Sequence, residues 1–203
     1  MKNRRTVIAS FLLIAVLVMG IGYAALTDNL FIKGEANLKT DVAQTEFDTD
    51  VFFVAQKDES MKSGLVSTTG TSAIPEGKTE GVVIGTSDPD SATFYLYSLG
   101  KQNDVAIFSF VIKNESTEYD ALISLDANNP STTNTTMFKI EYSVDKSTWV
   151  EANPGTSPET TCAAGGYQVV YVRITLLATP SENTSAAFNV NLTATSAPKA
   201  ATP

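Results

Sequence analysis

The amino-acid sequence predicts an all-β protein, an antiparallel β-sandwich or jelly roll of about nine strands preceded by a cleavable signal helix. Three observations support this fold class. Apolar and polar residues alternate with a period of two in successive segments beyond residue 26. A helical period of apolar residues is nearly absent from the same region. Clusters of Gly, Pro, Ser, Asn and Asp separate the alternating segments, as turns separate the strands of a sandwich.

The first element is the leader, residues 1–24, which we expect to be a signal peptide. Residues 1–5 carry three positive charges, residues 6–26 carry no charge, and small residues close the apolar run. This pattern predicts cleavage between Ala24 and Ala25 by a signal peptidase, so the chain would contact the membrane only through the leader. A retained transmembrane anchor is the alternative, since 21 uncharged residues can span a bilayer. Cleavage would take the net charge from −8 to −11.

The second element is a one-faced strand directly after the cleavage point, residues 25–38. Its even positions are mostly apolar or small and its odd positions mostly polar. The apolar face that we expect to be buried consists of Leu26, Leu30, Ile32, Ala36 and Leu38. Two arrangements are open for this strand: pairing within its own sheet, or donation to the open sheet edge of another copy.

Eight further segments are predicted to be strands, because each combines alternation or an apolar run with flanking turn residues. Segment 105–112 is apolar on both faces, which predicts a central strand. A turn at 145–147 leads into Trp149 and Val150, which predicts a hairpin with the preceding strand. The eight segments are 51–55, 81–86, 92–99, 105–112, 118–126, 138–144, 167–177 and 188–195.

These strands place the sandwich domain at residues 39–196 and leave a flexible tail at 197–203. The stretch 60–78 shows neither period clearly. We interpret it as a mobile loop or as an insertion with a short helix.

The composition disfavours several functional classes. The chain has 203 residues, 14 Lys and Arg against 22 Asp and Glu, no His and one Cys. Without His, a Ser-His-Asp triad, a Cys-His dyad and a histidine zinc site are excluded. A single Cys cannot form a disulfide within the chain, and an acidic chain is a poor partner for nucleic acid. We therefore expect a protein that is not an enzyme, needs no cofactor and binds no nucleic acid.

The remaining candidate sites are acidic, thiol and aromatic. Carboxylates cluster at Asp41, Glu46, Asp48 and Asp50 and again at Asp88 and Asp90. They could bind Ca²⁺ or act as a hydrolytic pair, but no full ligand string is present, so we interpret them as solvated loop charges. Cys162, with no His to activate it, is expected to be a buried small residue.

The aromatic residues suggest an alternative function, a cell-surface adhesin or carbohydrate-binding module. Aromatic side chains at alternating strand positions are more often core residues or cross-strand pairs. The residues that could form a sugar-stacking surface are Tyr95, Tyr97, Tyr119, Tyr142, Trp149, Tyr167 and Tyr171.

The junction after the leader, YAALTD at 23–28, resembles that of the TasA/camelysin group of secreted proteins from Gram-positive bacteria, whose export uses a SipW-type signal peptidase. The segments FVIKNES at 110–116 with YDALIS at 119–124, and VYVRITLL at 170–177 with AFNVNLTA at 187–194, are similar to that group in architecture. The group includes a member named as a metalloprotease, but a chain without His does not support a conventional zinc protease.

This resemblance implies a secreted jelly-roll subunit of a biofilm-matrix or cell-surface fibre. Its partners would be further copies of itself, head to tail, and other matrix proteins. In that group the N-terminal strand of one subunit completes the sheet of the next. On this interpretation, deleting residues 25–38 is expected to abolish assembly while the remaining domain stays folded.

Overall fold

The computed structural model describes residues 31–40, 47–86, 89–125, 131–132, 137–151, 159–180 and 185–199. These residues form one 3₁₀ helix, Phe47–Thr49, and fifteen strands. No helix within these ranges has the length and apolar character needed to cross a bilayer. The strands are β1 (Phe31–Thr40), β2 (Val51–Val54), β3 (Gln56–Asp58), β4 (Met61–Lys62), β5 (Gly64–Thr68), β6 (Gly81–Ile84), β7 (Ser91–Leu96), β8 (Val105–Asn114), β9 (Tyr119–Leu125), β10 (Ser131–Thr132), β11 (Phe138–Ser143), β12 (Val150–Glu151), β13 (Thr160–Cys162), β14 (Tyr167–Leu176) and β15 (Ser185–Pro198).

Two sheets pack face to face, which confirms the all-β sandwich. The seven-stranded sheet has the order β13-β9-β15-β1-β7-β6, with β10 also paired to β15. The six-stranded sheet has the order β12-β11-β14-β8-β2, with β5 also paired to β8, and β3 and β4 form a separate hairpin. Neighbouring strands are antiparallel with one exception, the parallel pair of β1 and β15. The sandwich is therefore antiparallel, as the sequence predicts, except at that pair.

The long alternating segments are strands where the sequence predicts them. In β14 every second residue from Val170 to Leu176 is buried, as period-two burial requires. In β8 five consecutive residues, from Phe108 to Ile112, are buried. Strand β14 pairs with one edge of β8, and β2 and β5 pair with the other. The central position predicted for 105–112 is therefore confirmed.

The predicted hairpin after residue 143 is also present. Tyr142 pairs with Val150 across the β11–β12 ladder. The carboxylate of Asp145 accepts hydrogen bonds from the backbone N–H groups of Ser147 (2.8 Å) and Thr148 (2.9 Å), which closes the turn.

Segment 60–78 differs from the expectation of a mobile loop or a short helix. Residues 61–62 and 64–68 are strands β4 and β5, and β5 pairs with β8. The register of that pair shifts between Leu65 and Ser67, and this irregularity interrupts the alternation that would have revealed the strand. Short strands of this kind also raise the count from about nine to fifteen.

The predicted domain limits both change. Strand β1, which continues to Thr40, is itself a strand of the sandwich, so the domain does not begin at residue 39. Strand β15 continues through Ala197 and Pro198, which pair with Asp120 and Tyr119 of β9. Residues 197–198 are therefore part of the sheet, and the expectation that they belong to a flexible tail is wrong. The leader and its cleavage point lie outside the described residues.

An aromatic cluster joins the two sheets at the centre of the core. Phe94 of β7 lies 5.0 Å from Phe108 and 6.1 Å from Phe110 of β8, measured between ring centroids. Phe53 of β2 packs on Phe110 at 5.9 Å. All four rings are at most 1% exposed. Burying each ring contributes about 1.5–3 kcal/mol, so this cluster is a main source of cohesion between the sheets.

Tyr142 offers a direct test of the core. Its side chain is 1% exposed, and its hydroxyl has no hydrogen-bond partner among the described residues. Burial raises its pKa. We expect Tyr142→Phe to leave the free energy of unfolding unchanged or to raise it by about 1 kcal/mol, because it removes a buried polar group that lacks a partner. Urea denaturation measures the change. A loss of more than about 1 kcal/mol would mean that the hydroxyl is hydrogen-bonded in the folded protein.

Candidate assembly site

Strand β1 lies in the middle of the seven-stranded sheet. It pairs in parallel with β15 over all ten of its residues, from Phe31 opposite Ser185 to Thr40 opposite Ala194. On its other edge Ile32–Asn37 pair antiparallel with β7. We call the space between β15 and β7 the β1 slot. Of the two arrangements that the sequence leaves open, the structure has β1 in the β1 slot of its own chain.

The predicted apolar face of this strand points into the core. Ile32 and Ala36 are 0% exposed and Leu38 is 5% exposed. The remaining two predicted residues, Leu26 and Leu30, lie outside the described residues, as do Ala24 and Ala25. Burying Ile32 and Leu38 contributes about 1.5–3 kcal/mol each. The backbone N–H of Leu38 also donates to the carbonyl of Asp90, at 2.8 Å.

The β1 slot is tightly packed at Gly34. Gly34 lies directly opposite Phe94 of β7, and the ring of Phe94 covers the Cα of the glycine. A Cβ atom on residue 34 would meet Cζ and both Cε atoms of this ring at less than the 3.0 Å that real Cβ atoms keep. Glycine inside a strand often marks such a close approach, and an aromatic ring beside it restores the lost packing.

The outward face of β1 is polar and contributes little. Lys33 and Glu35 form an ion pair of 3.2 Å whose side chains are each 46% exposed. Exposed pairs of this kind are worth about 0–1 kcal/mol. The strand is therefore held by its backbone ladders and by its inward face.

The acidic clusters do not converge on a site within the described residues. Asp41, Glu46 and Asp88 lie outside them, and Asp48 is in the 3₁₀ helix. Asp50 and Asp90 are half-buried, and their backbone carbonyls accept hydrogen bonds from Glu115 and Leu38. In the described part of the chain, no three His, Cys, Asp or Glu side chains are close enough to hold a metal ion.

Cys162 is buried, as the sequence predicts. It is 0% exposed at the end of β13, and its thiol lies 3.9 Å from the carbonyl of Ile112. Burial raises the pKa of the thiol to about 11. At neutral pH it is therefore protonated and a poor nucleophile.

The aromatic residues that could stack on a sugar are spread over different surfaces. Tyr97 and Tyr142 are buried, Tyr119 packs against the core, and Tyr95 lies on the seven-stranded sheet. The outer face of the six-stranded sheet carries Tyr167, Tyr171 and Trp149, and each of these rings has a cation over it. These cations are Lys57 and Lys113 over Tyr167, Lys146 over Tyr171, and Arg173 over Trp149.

A shallow groove of ≈ 190 Å³ lies on the same outer face. The β3–β4 hairpin lines it with Ser60 and Lys62, and Lys146 also lines it. Ser109, Val169 and Tyr171 are further lining residues, from β8 and β14. Lys62 is paired with Glu59 at 2.6 Å. A small polar ligand would fit in this groove.

Comparison with known proteins adds little to this geometry. No protein-family model matches the chain, and no curated protein matches it. Among solved structures, it is similar to the yeast delta-COP-I mu-homology domain, with 7% sequence identity and a TM-score of 0.20. The match covers 83% of this chain and 95% of that chain. A TM-score this low carries no argument, so the fold assignment depends on the strand pairing itself.

Sequence reasoning identified β1 but missed the close contact between Gly34 and the ring of Phe94. The alternation predicts that Ile32, Ala36 and Leu38 share a face, and they do. The pairing of Gly34 with Phe94 depends on which strand lies beside β1, and 59 residues separate the two positions in the sequence. A glycine within an otherwise regular strand was the available signal.

Proposed function

We propose that the mature chain is a secreted, non-catalytic structural subunit of a biofilm-matrix or cell-surface fibre, in which β1 of one copy fills the β1 slot of the next. The absence of His and the burial of the single Cys support a non-catalytic role. The observation that carries the assembly proposal is the position of β1, a strand near the N-terminus that is inserted between two strands from later parts of the chain.

Exchange of β1 between copies conserves every contact that the strand makes. A β1 from a second copy has the same sequence, so it can form the same ladders with β15 and β7 and bury the same side chains. With cleavage after Ala24, β1 would be joined to the rest of its chain only through residues 41–46. Release of β1 exposes the β1 slot and costs the stability that the strand supplies, and a β1 from a second copy restores that stability when it inserts.

Head-to-tail exchange produces a filament. The donated strand and the slot are different surfaces of the same chain, so each added copy presents a new unfilled slot or a new free strand. The exchanged state has the same strand contacts as the monomer, and protein concentration and residues 41–46 then determine the balance between them. A mature net charge of −11 would oppose assembly at low ionic strength.

The test is to tie β1 to its own sheet. Glu35 of β1 and Thr93 of β7 are directly opposite, so a chain with Glu35→Cys, Thr93→Cys and Cys162→Ala can form a disulfide between them. Oxidised as a monomer, this variant is expected to form no fibres in negative-stain micrographs, whereas the reduced variant and the processed wild type form them. N-terminal sequencing of the same sample reports where the leader is cleaved. Fibres formed equally by the oxidised monomer would contradict the proposal.

The second candidate, an adhesin or carbohydrate-binding module, is favoured by the groove on the six-stranded sheet. Tyr171 and the hydroxyls of Ser60 and Ser109 line it. A glycan array separates the two candidates. Binding that Tyr171→Ala removes and Tyr95→Ala retains would favour the second candidate, and an array without any binding would favour the fibre subunit.

A further inference from the structure

We infer that Gly34 is the residue by which the β1 slot selects its strand. The ring of Phe94 fills the space that a side chain at this register would need, so the slot accepts a strand with glycine there and rejects one with a Cβ. The partner that fits is a second copy of this chain. Insofar as it concerns a second copy, the inference rests on the proposed function, and it adds the rule that decides which strands can enter.

Phe94 cannot move aside to admit a larger residue. Its side chain is 0% exposed, and it is wedged against Phe108 and Phe110 of the opposite sheet at 5.0 and 6.1 Å. Interiors are close-packed, so displacing this ring would disturb the aromatic cluster that joins the two sheets. The three ring atoms that would clash are Cζ and both Cε atoms. A leucine side chain ends at its Cδ atoms and therefore lacks all three.

The same contact also determines the register. A slip of one residue would turn the polar face of β1 into the core. A slip of two residues keeps the apolar face inward, but it brings Ile32 or Ala36 opposite Phe94 in place of Gly34. Both carry a Cβ where the ring leaves no room. Alternation excludes the odd slips and Phe94 excludes the even ones, so a single register remains.

The inward face of β1 therefore has a fixed order of side-chain sizes. Ile32 is large, Gly34 has no side chain, Ala36 is small and Leu38 is large. All four residues are buried. Ala36 lies opposite Ala92, and Ile32 lies opposite Leu96. A foreign strand with ordinary alternation of apolar residues would lack the glycine and would be excluded. This gives the assembly a means of recognising its own strand.

The test uses full mature chains with Gly34→Ala, with Phe94→Leu, and with both. Gly64→Ala is the matched control, because a Cβ at that strand glycine meets nothing within 4 Å. Urea midpoints are measured first. In the chain that keeps Phe94, Gly34→Ala is expected to lower the urea midpoint strongly. In the chain with Phe94→Leu, the same substitution is expected to lower it much less. Gly64→Ala is expected to have little effect. Equal shifts in both backgrounds would overturn the inference, as would a Gly34→Ala chain with the midpoint of the wild type.

The second measurement follows entry into fibres. Gly34→Ala or Gly64→Ala chains, labelled at the C-terminus, are mixed at one part in ten with unlabelled wild type. The labelled fraction in the pelleted fibres is then compared with the labelled fraction in the starting mixture. Gly34→Ala chains are expected to enter several-fold less than Gly64→Ala chains and to shorten the fibres. In fibres of Phe94→Leu chains they are expected to enter near the input ratio. Entry of Gly34→Ala at the input ratio into wild-type fibres would overturn the inference.

The two measurements separate this inference from the proposed function. If the processed wild type forms no fibres, the fibre proposal fails. The urea midpoints then decide alone whether Phe94 selects glycine in the slot of the single chain.

Discussion

Deleting residues 25–40 from the mature chain is expected to abolish assembly and to unfold the remaining domain. The deletion empties the middle of a sheet, leaves β15 and β7 without their shared neighbour, and removes Ile32, Ala36 and Leu38 from the core. The two large side chains alone account for about 3–6 kcal/mol, against a total stability of about 5–15 kcal/mol for a domain. Circular dichroism and urea denaturation measure the loss. The central position of β1 thus replaces the sequence-based expectation that the truncated domain stays folded.

A synthetic peptide of residues 25–40 provides the control for this deletion. Added in excess to the truncated chain, it is expected to restore the β signal and a cooperative urea transition, because it can refill the β1 slot. The same peptide with Gly34→Ala is expected not to restore them. A truncated chain that unfolds with the wild-type midpoint in the absence of peptide would show that β1 is dispensable for the fold.

The second large effect is expected at Asp104, which lies directly before β8. One carboxylate oxygen, Oδ2, accepts hydrogen bonds from the backbone N–H groups of Gly100 (2.8 Å), Lys101 (2.9 Å) and Thr71 (3.1 Å), and from the Thr71 hydroxyl (2.9 Å). Asp104 is 6% exposed. Asp104→Ala leaves these donors without their acceptor and is expected to lower the free energy of unfolding by about 2–3 kcal/mol. Thr71→Val, which removes only the hydroxyl, is expected to have a smaller effect.

The contribution of Asp104 is also expected to depend on pH. Burial by itself would raise the pKa of this carboxyl, but the hydrogen bonds from Gly100, Lys101 and Thr71 outweigh burial and lower it. A carboxyl whose pKa is lower in the folded than in the unfolded protein stabilises the fold above the unfolded pKa, and this contribution is lost as the pH falls through the folded pKa.

The difference in stability between wild type and Asp104→Asn is therefore expected to be constant at neutral pH and to shrink below about pH 4. Urea midpoints at pH 7, 5 and 3 measure it. The asparagine variant keeps the size of the side chain and one acceptor oxygen, so it isolates the charge. A difference that stays constant down to pH 3 would contradict this role for the carboxylate.

Alternation predicted the strands well wherever one face of a segment is buried and the other exposed. Strand β14 is of this kind, and its inward residues were identified from the sequence. In β11 the alternation identified the inward Phe138, Ile140 and Tyr142, but Glu141 and Ser143 on the other face are buried as well. Alternation fails where a strand is irregular or very short. In β5 a register shift interrupts the period. Strands β12 and β13 have too few residues to show a period.

Pairing partners could not be predicted, because they depend on contacts between distant parts of the chain. The parallel pairing of β1 with β15 joins residues separated by most of the sequence. Two further sets of hydrogen bonds also depend on distant contacts. Asp104 accepts from Thr71, and Glu80 accepts from the backbone N–H groups of Tyr97 and Ser98. The sequence around Thr71 and Glu80 shows only that this region is polar. For the same reason, the alternation identified β1 but not its glycine opposite Phe94.

The most direct test of exchange is to form the Glu35→Cys, Thr93→Cys disulfide after assembly, in chains that also carry Cys162→Ala. Fibres of the reduced variant are oxidised, dissolved in denaturant and separated on a gel without reductant. If β1 of each copy fills the slot of the next, the disulfides join different chains and the gel shows a ladder of covalent multimers. Oxidised fibres that dissolve to monomers alone, each with its disulfide closed within one chain, would contradict the account.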